Sequence, residues 1–539
     1  MPRRRPALTV TLAFAALAAC GGDDVPAAAA PSCGGDDRAP LPDGAGGIEC
    51  VAVGAAGDVA SGPFADTVYA GIALPSPVAH VRADAGVGGD GSPTRPFATL
   101  AEAVRAGAAT VLLARGEHGV AETIVVGRDL TLVGVGASTL RPPAVGPTLR
   151  VRGVALSLAR LTLRGATDDA PVVDVAEGAT ASLRHVVVDG GAAGLRVSGA
   201  STQAALERVT VVRTRVAGVV VEDGARARLV GVSVRDGGGL GVIAGASAPG
   251  LPGGRLLLRD SLVARNWAEG VTLTRDGGDA TGFQACDDTL SAPRGAFDCV
   301  ASTAVQDNRA TGVYVAGARR VTGRALVVSG TRARGGIPSG DGLFVGDGAS
   351  LSLDLAVVGD ARMGHGSQWV GNARAAVLLS GAGATLSLHG ARIRDNASVG
   401  VFVQRGATLE ALRYSALERN GGAALAASEG ATLGSILCDH FLATRPALLV
   451  TTAGRVTLAD GASIHRATVR EMTGNELSSN GRFGLILNAA SGALTRNRGA
   501  GNLFGLGNYA PAGVTVDDAA AIRGRSPPPA ALPAVALDP

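Results

Sequence analysis

The stretch Asn396-Ala-Ser-Val-Gly400, followed by Val401-Phe-Val403, contains the pattern that decides the fold of this chain. An Asn or Gly precedes three variable residues, a small residue and an apolar–x–apolar segment. The same phrase recurs at 266–273, 308–315, 372–379, 420–427 and 480–487. The markers Gly194, Gly218 and Gly241 are 24 and 23 residues apart. A fixed internal period of this length indicates a solenoid, in which each repeat contacts only its neighbours.

A coil of about 23 residues suits three short strands joined by three turns. Strands one coil apart then run parallel and pair with each other. The segments 384–388 and 349–355 read as second strands of their coils, and 209–212 and 391–393 as third strands. Glycine accounts for 80 of the 539 residues and aromatic residues for only 3%. The sequence therefore predicts an all-β fold with a core of thin aliphatic layers.

A short helix is predicted ahead of the coils, at about residues 98–106. Thr99 and Glu102 have the spacing of a capping box, and Leu100, Ala103 and Val104 share one face. We expect this helix to cover the open first coil, whose apolar layers and strand edges would otherwise be exposed.

The segment 90–136 resembles the entry segment of right-handed parallel β-helix proteins of the pectate-lyase-like superfamily. The residues that carry the resemblance are Gly91-Ser92, Pro96-Phe97-Ala98-Thr99-Leu100 and Ala103. The resemblance implies a single right-handed parallel β-helix over 147–515, after a cap segment over 76–146. It also implies a substrate lying along the outer face of one sheet, served by acids on neighbouring coils.

The recurring Asn column is predicted to have a structural role. Asn and Gly tolerate a left-handed backbone best, so these positions fit a tight turn. Asn side chains one coil apart can also hydrogen-bond to each other, as in cross-β ladders. The alternative is a polar row that binds a ligand.

The N-terminus has the features of a bacterial lipoprotein signal over residues 1–19. Arg3-Arg4-Arg5 precedes an apolar stretch over 7–19, and Leu17-Ala18-Ala19-Cys20 places small residues before a cysteine. By that resemblance Cys20 carries acyl chains, and Gly21 favours the outer membrane of a two-membrane cell. The alternative is an ordinary secretory signal cut near Ala19. Residues 20–75 read as a flexible tether and 516–539 as a disordered Pro/Ala-rich tail.

The remaining cysteines suggest two disulfide bonds in an exported protein, Cys33–Cys50 and Cys286–Cys299. Cys438 reads as a buried thiol. The basic residues are all Arg, and with a net charge of +3 they are interspersed with acids. We therefore expect no nucleic-acid partner. The expected state is a monomer that contacts the membrane through its lipid and binds a polysaccharide or a surface protein.

The strand after each small marker residue can be tested for a catalytic face. From Arg196 onward, the two outward positions of these strands contain one acid, Glu222. Glycosidases need two carboxylates about 5–10 Å apart, and calcium needs several oxygen ligands. The outward residues of these strands therefore predict no pair of catalytic carboxylates on the sheet that the strands form.

Four apolar residues occupy the same outward register, Tyr314, Phe344, Leu378 and Phe402. They predict a platform for a sugar ring or a protein partner. The alternative is that an insertion covers them as a small separate core.

An insertion over 270–312 contains a further acidic group, Asp287, Asp288 and Asp298. It could hold calcium or belong to a solvated loop, and no other cofactor is expected. The sequence thus predicts a cell-envelope lipoprotein with a β-helix scaffold that binds polysaccharide or another surface component without catalysis. The alternative is a polysaccharide lyase or glycoside hydrolase with an atypical site, built for example from Asp287, Asp288 and Arg294.

Overall fold

The structure is a computed structural model of the 539-residue chain. It describes residues 38–42, 48–52, 73–135, 137–166, 169–274, 298–317, 319–334, 339–346, 348–354, 357–359, 372–437, 439–442, 460–509, 513–517 and 519–526. These residues fall into two compact units, an N-terminal unit within 31–327 and a C-terminal unit within 328–539.

In the N-terminal unit every coil contributes strands to three parallel sheets. Sheet 1 contains Val78–Val81, Thr110–Leu113, Leu130–Gly134, Ala155–Ala159, Thr180–Arg184, Gln203–Glu207, Arg226–Val230, Arg255–Arg259, Asp298–Ala301 and Arg320–Arg324. Sheet 2 contains Gly116–Gly119, Ser138–Arg141, Thr162–Arg164, Val187–Asp189, Thr210–Val212, Ser233–Arg235, Leu262–Ala264 and Ala304–Gln306. Sheet 3 contains Ile124–Val126, Leu149–Arg152, Val173–Ala176, Ala193–Ser198, Ala217–Glu222, Leu240–Gly245, Val271–Leu273 and Thr311–Val315.

The C-terminal unit repeats the same three-sheet coil. Its sheet 1 contains Ser350–Asp354, Thr385–His389, Thr408–Arg413, Thr432–Leu437, Thr468–Thr473, Ser491–Thr495 and Val514–Val516. Its sheet 2 contains Val357–Gly359, Arg392–Arg394, Ala416–Glu418, His440–Leu442 and Glu476–Ser478, and Val327–Ser329 lies at the division between the units. Its sheet 3 contains Asp341–Gly346, Val377–Ser380, Val401–Gln404, Leu425–Ala427, Ala462–His465, Phe483–Asn488 and Phe504–Tyr509.

The predicted parallel β-helix is confirmed by this pairing of each strand with its counterpart one coil away. In sheet 1 of the N-terminal unit, leucines stack in register through the interior: Leu158, Leu183, Leu206, Leu229 and Leu258. Each is at most 1% exposed. Alternate residues of the same strands face outward, as the strand period of two requires.

The Asn column forms the predicted internal ladder. The side-chain amide of Asn372 donates to Asn396 Oδ1 at 2.9 Å, and that of Asn396 donates to Asn420 Oδ1 at 2.8 Å. Comparable bonds join Asn266 to Asn308 and Asn480 to Asn502, each at 3.0 Å. All of these side chains are buried, which supports a packing role for the column.

The prediction that the Asn itself adopts the left-handed backbone of this turn is wrong. The positive φ belongs to the residue before each Asn, for example Arg265 at 56°, Asp395 at 55° and Arg419 at 51°. A left-handed backbone is costly for such residues. The Asn instead turns its amide inward, where the ladder hydrogen bonds offset that cost.

The predicted N-terminal helix is Leu100–Arg105, with a complete capping box. The Glu102 N–H donates to Thr99 Oγ1 at 3.2 Å, and the Thr99 N–H donates to Glu102 Oε2 at 3.2 Å. Leu100 and Ala103 are buried, whereas Val104 is only half-buried. The stacked strands begin at Val78–Val81, so the segment 76–146 contributes coils of its own as well as the helix.

Two segments predicted to lack structure contain ordered elements. Strands Arg38–Pro42 and Ile48–Ala52 pair as an antiparallel hairpin within the predicted tether. In the predicted tail a 3-10 helix covers Ala519–Ala521, and Ile522 is 3% exposed. Ile522 pairs with Gly499, so this part of the tail joins the last coil through an apolar contact.

Several predictions fall outside the described residues. They concern the signal segment 1–19, Cys20, Cys33, Cys286, Asp287, Asp288, Arg294 and Cys438. For Cys50, Asp298 and Cys299 only the backbone is described, so the two disulfides remain predictions. In the part of the chain that the structure covers, no helix is long and apolar enough to span a membrane.

Candidate functional site

The outward register predicted for sheet 3 is confirmed in the N-terminal unit. Arg196, Val220, Ile243, Thr272 and Tyr314 lie directly opposite one another on successive strands. Tyr314 is half-buried.

The predicted open aromatic platform is wrong in the C-terminal unit. Leu378 is 3% exposed and Phe402 is 2% exposed, so neither offers a free face. They form a cluster with alanines of the preceding turns and with Val399, and the half-buried Phe344 packs against it. These three residues therefore belong to a small apolar core, but regular coil residues form it, and the insertion named in the alternative lies largely outside the described residues. Because the neighbouring turns approach closely, the outward side chains pack against the turns.

A groove lies on the outer face of sheet 1 in the N-terminal unit. Its volume is about 840 Å³. It is lined by Pro75, Ala109, 129–131, 155–157, 180–182, 203–205, 226–228 and 255–257. The groove crosses six paired strands, and at about 4.8 Å a step it is about 24 Å long. It is the candidate functional site.

Two outward rows of side chains line this groove. The floor row is Thr131, Ser157, Ser182, Ala205, Arg228 and Leu257, in direct register. The rim row is Ala155, Thr180, Gln203, Arg226 and Arg255. Most of these side chains are small or end in hydroxyl, amide or guanidinium groups. The groove therefore combines a mainly apolar lining with hydrogen-bonding groups spaced along it.

The charge in the groove is uneven along its length. Asp129 is the only carboxylate among the lining residues, and its Oδ1 accepts the Ala155 N–H at 2.8 Å. Arg226, Arg228 and Arg255 lie at the opposite end. Arg226 and Arg255 are directly opposite on adjacent strands, a placement that disfavours folding because the charges are alike.

A second charged group lies on the outer face of sheet 3, around Asp174. Asp174 is directly opposite Arg150 and Arg196 and is 5% exposed. Its Oδ2 is 2.5 Å from Arg152 Nη2 and 3.6 Å from Arg150 Nε. Its Oδ1 is buried and has no hydrogen-bond donor among the described residues.

Glu222 lies two strands further along the same face and contacts Arg196 at 2.6 Å. Both carboxylates are thus held by arginines, and Asp174 retains one unused acceptor. The buried Oδ1 of Asp174 could accept a hydrogen bond from a polar group of a ligand that reaches it.

Two isolated histidines, His185 and His465, have pKa values that are lowered mainly by burial. Desolvation, reinforced by Arg208 and Arg160, lowers the pKa of His185. Burial lowers the pKa of His465 to about 4, and Arg482 and Arg466 contribute. Within the described ranges no group of three or more His, Cys, Asp or Glu side chains could hold a metal ion. Calcium binding by Asp287, Asp288 and Asp298 remains a prediction.

Sequence reasoning missed both charged surfaces. Asp174 sits in Val173-Asp-Val175, the same apolar–x–apolar phrase as the later strands, but the outward register was followed only from Arg196 onward. The groove lies on sheet 1, whereas the predicted register concerned sheet 3. The alternation in 180–184, 203–207 and 226–230 would have shown its outward rows.

No known protein-family pattern matches this sequence, and no curated protein matches it. Among solved structures, the chain is similar to the catalytic domain of a GH87 α-1,3-glucanase in complex with nigerose, with 10% identity and a TM-score of 0.34. That match covers 85% of this chain and 69% of the glucanase domain.

The A-module of a mannuronan C-5 epimerase from Azotobacter vinelandii shows 15% identity and a TM-score of 0.26, over 78% of this chain and 94% of the module. A pectate lyase shows 12% identity and a TM-score of 0.28, over 70% of this chain and 81% of the lyase. At these values the similarities do not bear on the ligand of this protein.

Proposed function

We propose that the N-terminal unit binds an extended polysaccharide in the groove of sheet 1. The observation that carries the proposal is the unbroken register of the floor row from Thr131 to Leu257. The first three residues of the row, Thr131, Ser157 and Ser182, have hydroxyl groups that both donate and accept hydrogen bonds and follow one another at the strand spacing. A chain of sugar rings presents hydroxyls and apolar C–H faces repeatedly along its length, so it matches a long groove in which polar groups are spaced over an apolar lining.

The arginine end of the groove supports a ligand rich in oxygen acceptors. Within the described chain no carboxylate lies within ion-pair distance of Arg226 or Arg228. A guanidinium presents several donors in a fixed plane and binds carboxylate or paired hydroxyl oxygens in a bidentate manner. The groove should therefore favour saccharides that place such oxygens near Arg226 and Arg228.

A groove-filling substitution tests the proposal. Ser182→Trp places a large side chain in the middle of the floor, and we expect it to abolish polysaccharide binding in a glycan-array screen and in calorimetry. Ser352→Trp is the matched control, because Ser352 is the half-buried middle residue of a sheet 1 strand in the C-terminal unit. Equal binding by wild type and both variants would refute the groove as the binding site.

Removal of charge tests the arginine end separately. Arg226→Gln and Arg228→Gln should weaken binding and reduce its dependence on salt, whereas Arg115→Gln, an exposed change away from the groove, should not. Binding by these groove variants that equals wild type would show that the arginines do not contact the ligand.

The wider proposal is a cell-envelope lipoprotein, anchored through acylated Cys20, that presents this scaffold at the outer membrane and binds polysaccharide without catalysis. The signal-like segment 1–19 supports the anchor, and the groove supports the binding. Absence of lipid on Cys20 in mass spectrometry of the membrane fraction would contradict the anchor.

The second candidate is an enzyme, a polysaccharide lyase or hydrolase, and the Asp174 group favours it. A buried carboxylate with an unused oxygen beside three arginines is the kind of group that can serve as a base near an anionic substrate. Wild-type protein incubated with polysaccharides should then release new reducing ends, and Asp174→Asn should not. Wild-type protein that leaves every polysaccharide uncut would eliminate this candidate while the binding proposal stands.

A further inference from the structure

Three basic residues follow one another on the turn that leads from sheet 1 to sheet 2 of the N-terminal unit. Arg160, His185 and Arg208 each come directly after a sheet 1 strand, and these three strands pair residue for residue. Their φ angles are 55°, 52° and 52°, so the three residues share one backbone conformation as well as one position in the coil. Their Cβ atoms therefore point the same way, about 4.8 Å apart from coil to coil. We call Arg160, His185 and Arg208 the basic column.

Glycine occupies the next position at both ends of the basic column. Gly134 precedes Arg160 in the stack, and a Cβ at Gly134 would be 2.2 Å from the Arg160 carbonyl oxygen, so the close approach of the two coils requires glycine. Gly231 follows Arg208 and has a φ of 62°. A Cβ at Gly231 would be 3.6 Å from Arg208 Cγ. Because neither glycine has a side chain, no residue at the same turn position covers the column from either end.

The arginines of the basic column have no acidic partner. Arg208 is exposed and Arg160 is half-buried, and within the described ranges no carboxylate lies within ion-pair distance of either guanidinium. Glu207, beside the column, is 3.3 Å from Arg184 and balances the charge of that arginine. The column therefore holds two uncompensated positive charges on residues about 10 Å apart, with an imidazole between them.

The ring of His185 is neutral at pH 7 and makes no hydrogen bond in the part of the chain that the structure describes. Burial lowers the pKa of His185, and Arg208, Arg160 and Arg184 lower it further, whereas Glu207 raises it. Its Nδ1 is enclosed without a partner, so Nε2 is the ring nitrogen that a ligand can reach. A neutral imidazole with its proton on Nε2 donates one hydrogen bond.

We propose that the basic column binds one phosphate group that carries two negative charges, either free phosphate or the monoester headgroup of a lipid. Each arginine side chain needs to span only one coil, about 4.8 Å, to meet the other over His185. Guanidinium groups bind phosphate oxygens in a bidentate manner, and Nε2 of His185 donates a further hydrogen bond. A dianion offsets the charges of both arginines. None of the three residues lines the groove of sheet 1, so the inference does not rest on the proposed function.

Nuclear magnetic resonance of His185 tests the proposal directly. The chain has seven histidines, and in full-length protein isotope-labelled at histidine the ring signal that His185→Gln lacks belongs to His185. Saturating inorganic phosphate should raise the pKa of His185, because the bound negative charge stabilises the imidazolium. Sulfate should raise it as well, and since sulfate does not titrate near neutral pH it separates this effect from the titration of phosphate itself. A pKa of His185 that neither anion changes would overturn the proposal.

Calorimetry with inorganic phosphate identifies the groups involved. Arg160→Gln and Arg208→Gln should each lower the affinity about tenfold, because each removes one charge-assisted contact. Arg324→Gln is the matched control, because Arg324 is an exposed arginine at the end of a sheet 1 strand of the same unit. Phosphate should raise the melting temperature of the wild type and of the control more than that of the two column variants. Phosphate affinities of both column variants equal to that of the control would refute the site.

Vesicle flotation distinguishes the two sources of the phosphate group. The full-length Cys20→Ser variant is mixed with neutral vesicles that contain either phosphatidate, a phosphate monoester, or phosphatidylglycerol, a diester with a single charge. Binding to phosphatidate that Arg208→Gln abolishes would assign the site to a lipid headgroup. Binding of inorganic phosphate in calorimetry without vesicle binding would assign it to free phosphate. Equal binding to both kinds of vesicle that Arg208→Gln leaves unchanged, with no binding of inorganic phosphate, would overturn the proposal.

Discussion

The Asn ladder allows a sharp test of how the coils are held together. Asn396→Asp changes one amide nitrogen into an oxygen at nearly constant size. In the wild type that nitrogen donates to Asn420 Oδ1 at 2.8 Å and to the Arg394 carbonyl at 3.0 Å. In the variant a carboxylate oxygen would face two acceptors at these distances. The side chain is 2% exposed, so water cannot replace the lost donors.

The expected loss follows from these contacts. Two net hydrogen bonds are worth about 1 kcal/mol each, and a buried carboxylate facing acceptors adds a desolvation cost. The free energy of unfolding should therefore fall by about 2–4 kcal/mol. The Oδ1 that accepts from Asn372 is unchanged, so the ladder should persist on that side.

The pH dependence of the loss has a definite sign. Burial should raise the pKa of the new carboxyl above its unfolded value of about 3.9. The folded variant then binds more protons than the unfolded chain, so its stability relative to wild type rises as the pH falls. The protonated carboxyl can also donate one of the lost hydrogen bonds.

The assay is chemical unfolding followed by circular dichroism at about pH 7 and about pH 4.5, on either side of the expected titration. Asn508→Asp is the matched control, because Asn508 is exposed. A loss for Asn396→Asp no larger than that for Asn508→Asp would refute the ladder as a source of stability. A loss that grows toward low pH would refute the acceptor-repulsion argument.

Three further predictions concern the core, a buried histidine and the anchor. Phe402→Ala should lower the free energy of unfolding by about 3–5 kcal/mol, because Phe402 is a core aromatic residue. Polysaccharide affinity measured by calorimetry should be unchanged. Weakened binding at an unchanged melting temperature would contradict the burial of Phe402. His465 has a pKa of about 4, below its unfolded value of about 6.5, so its contribution to stability is present at neutral pH and is lost as the pH falls. At about pH 5 that loss of stability is about 2 kcal/mol. His465→Asn introduces the residue type that the next coil has at the equivalent position, Asn488. The free energy of unfolding of this variant should therefore depend less on pH than that of the wild type. Cys20→Ser should release the protein from the membrane fraction in detergent partitioning, and unchanged partitioning would defeat the lipid anchor.

The sequence by itself determined the features that repeat at fixed spacing. The Asn–small–apolar phrase predicted the coil, the parallel pairing and the outward register through Arg196, Val220 and Ile243. Thr99 and Glu102 predicted the helix start to within a residue or two. These features depend on residues within one turn or on the same position one coil away. They can therefore be predicted from the amino-acid sequence alone.

Tertiary structure decided how the outward faces are covered and what lies side by side on them. Phe402 has the same outward register as Tyr314, yet it is buried because turns from neighbouring coils pack against it. Arg309 stacks on Trp267 across a coil lengthened by an insertion, at a separation that no fixed period predicts. Side-chain contacts between coils depend on turn paths, which change with each insertion, whereas strand register depends only on the repeat. The scaffold could therefore be predicted from the sequence, but the groove required the structure.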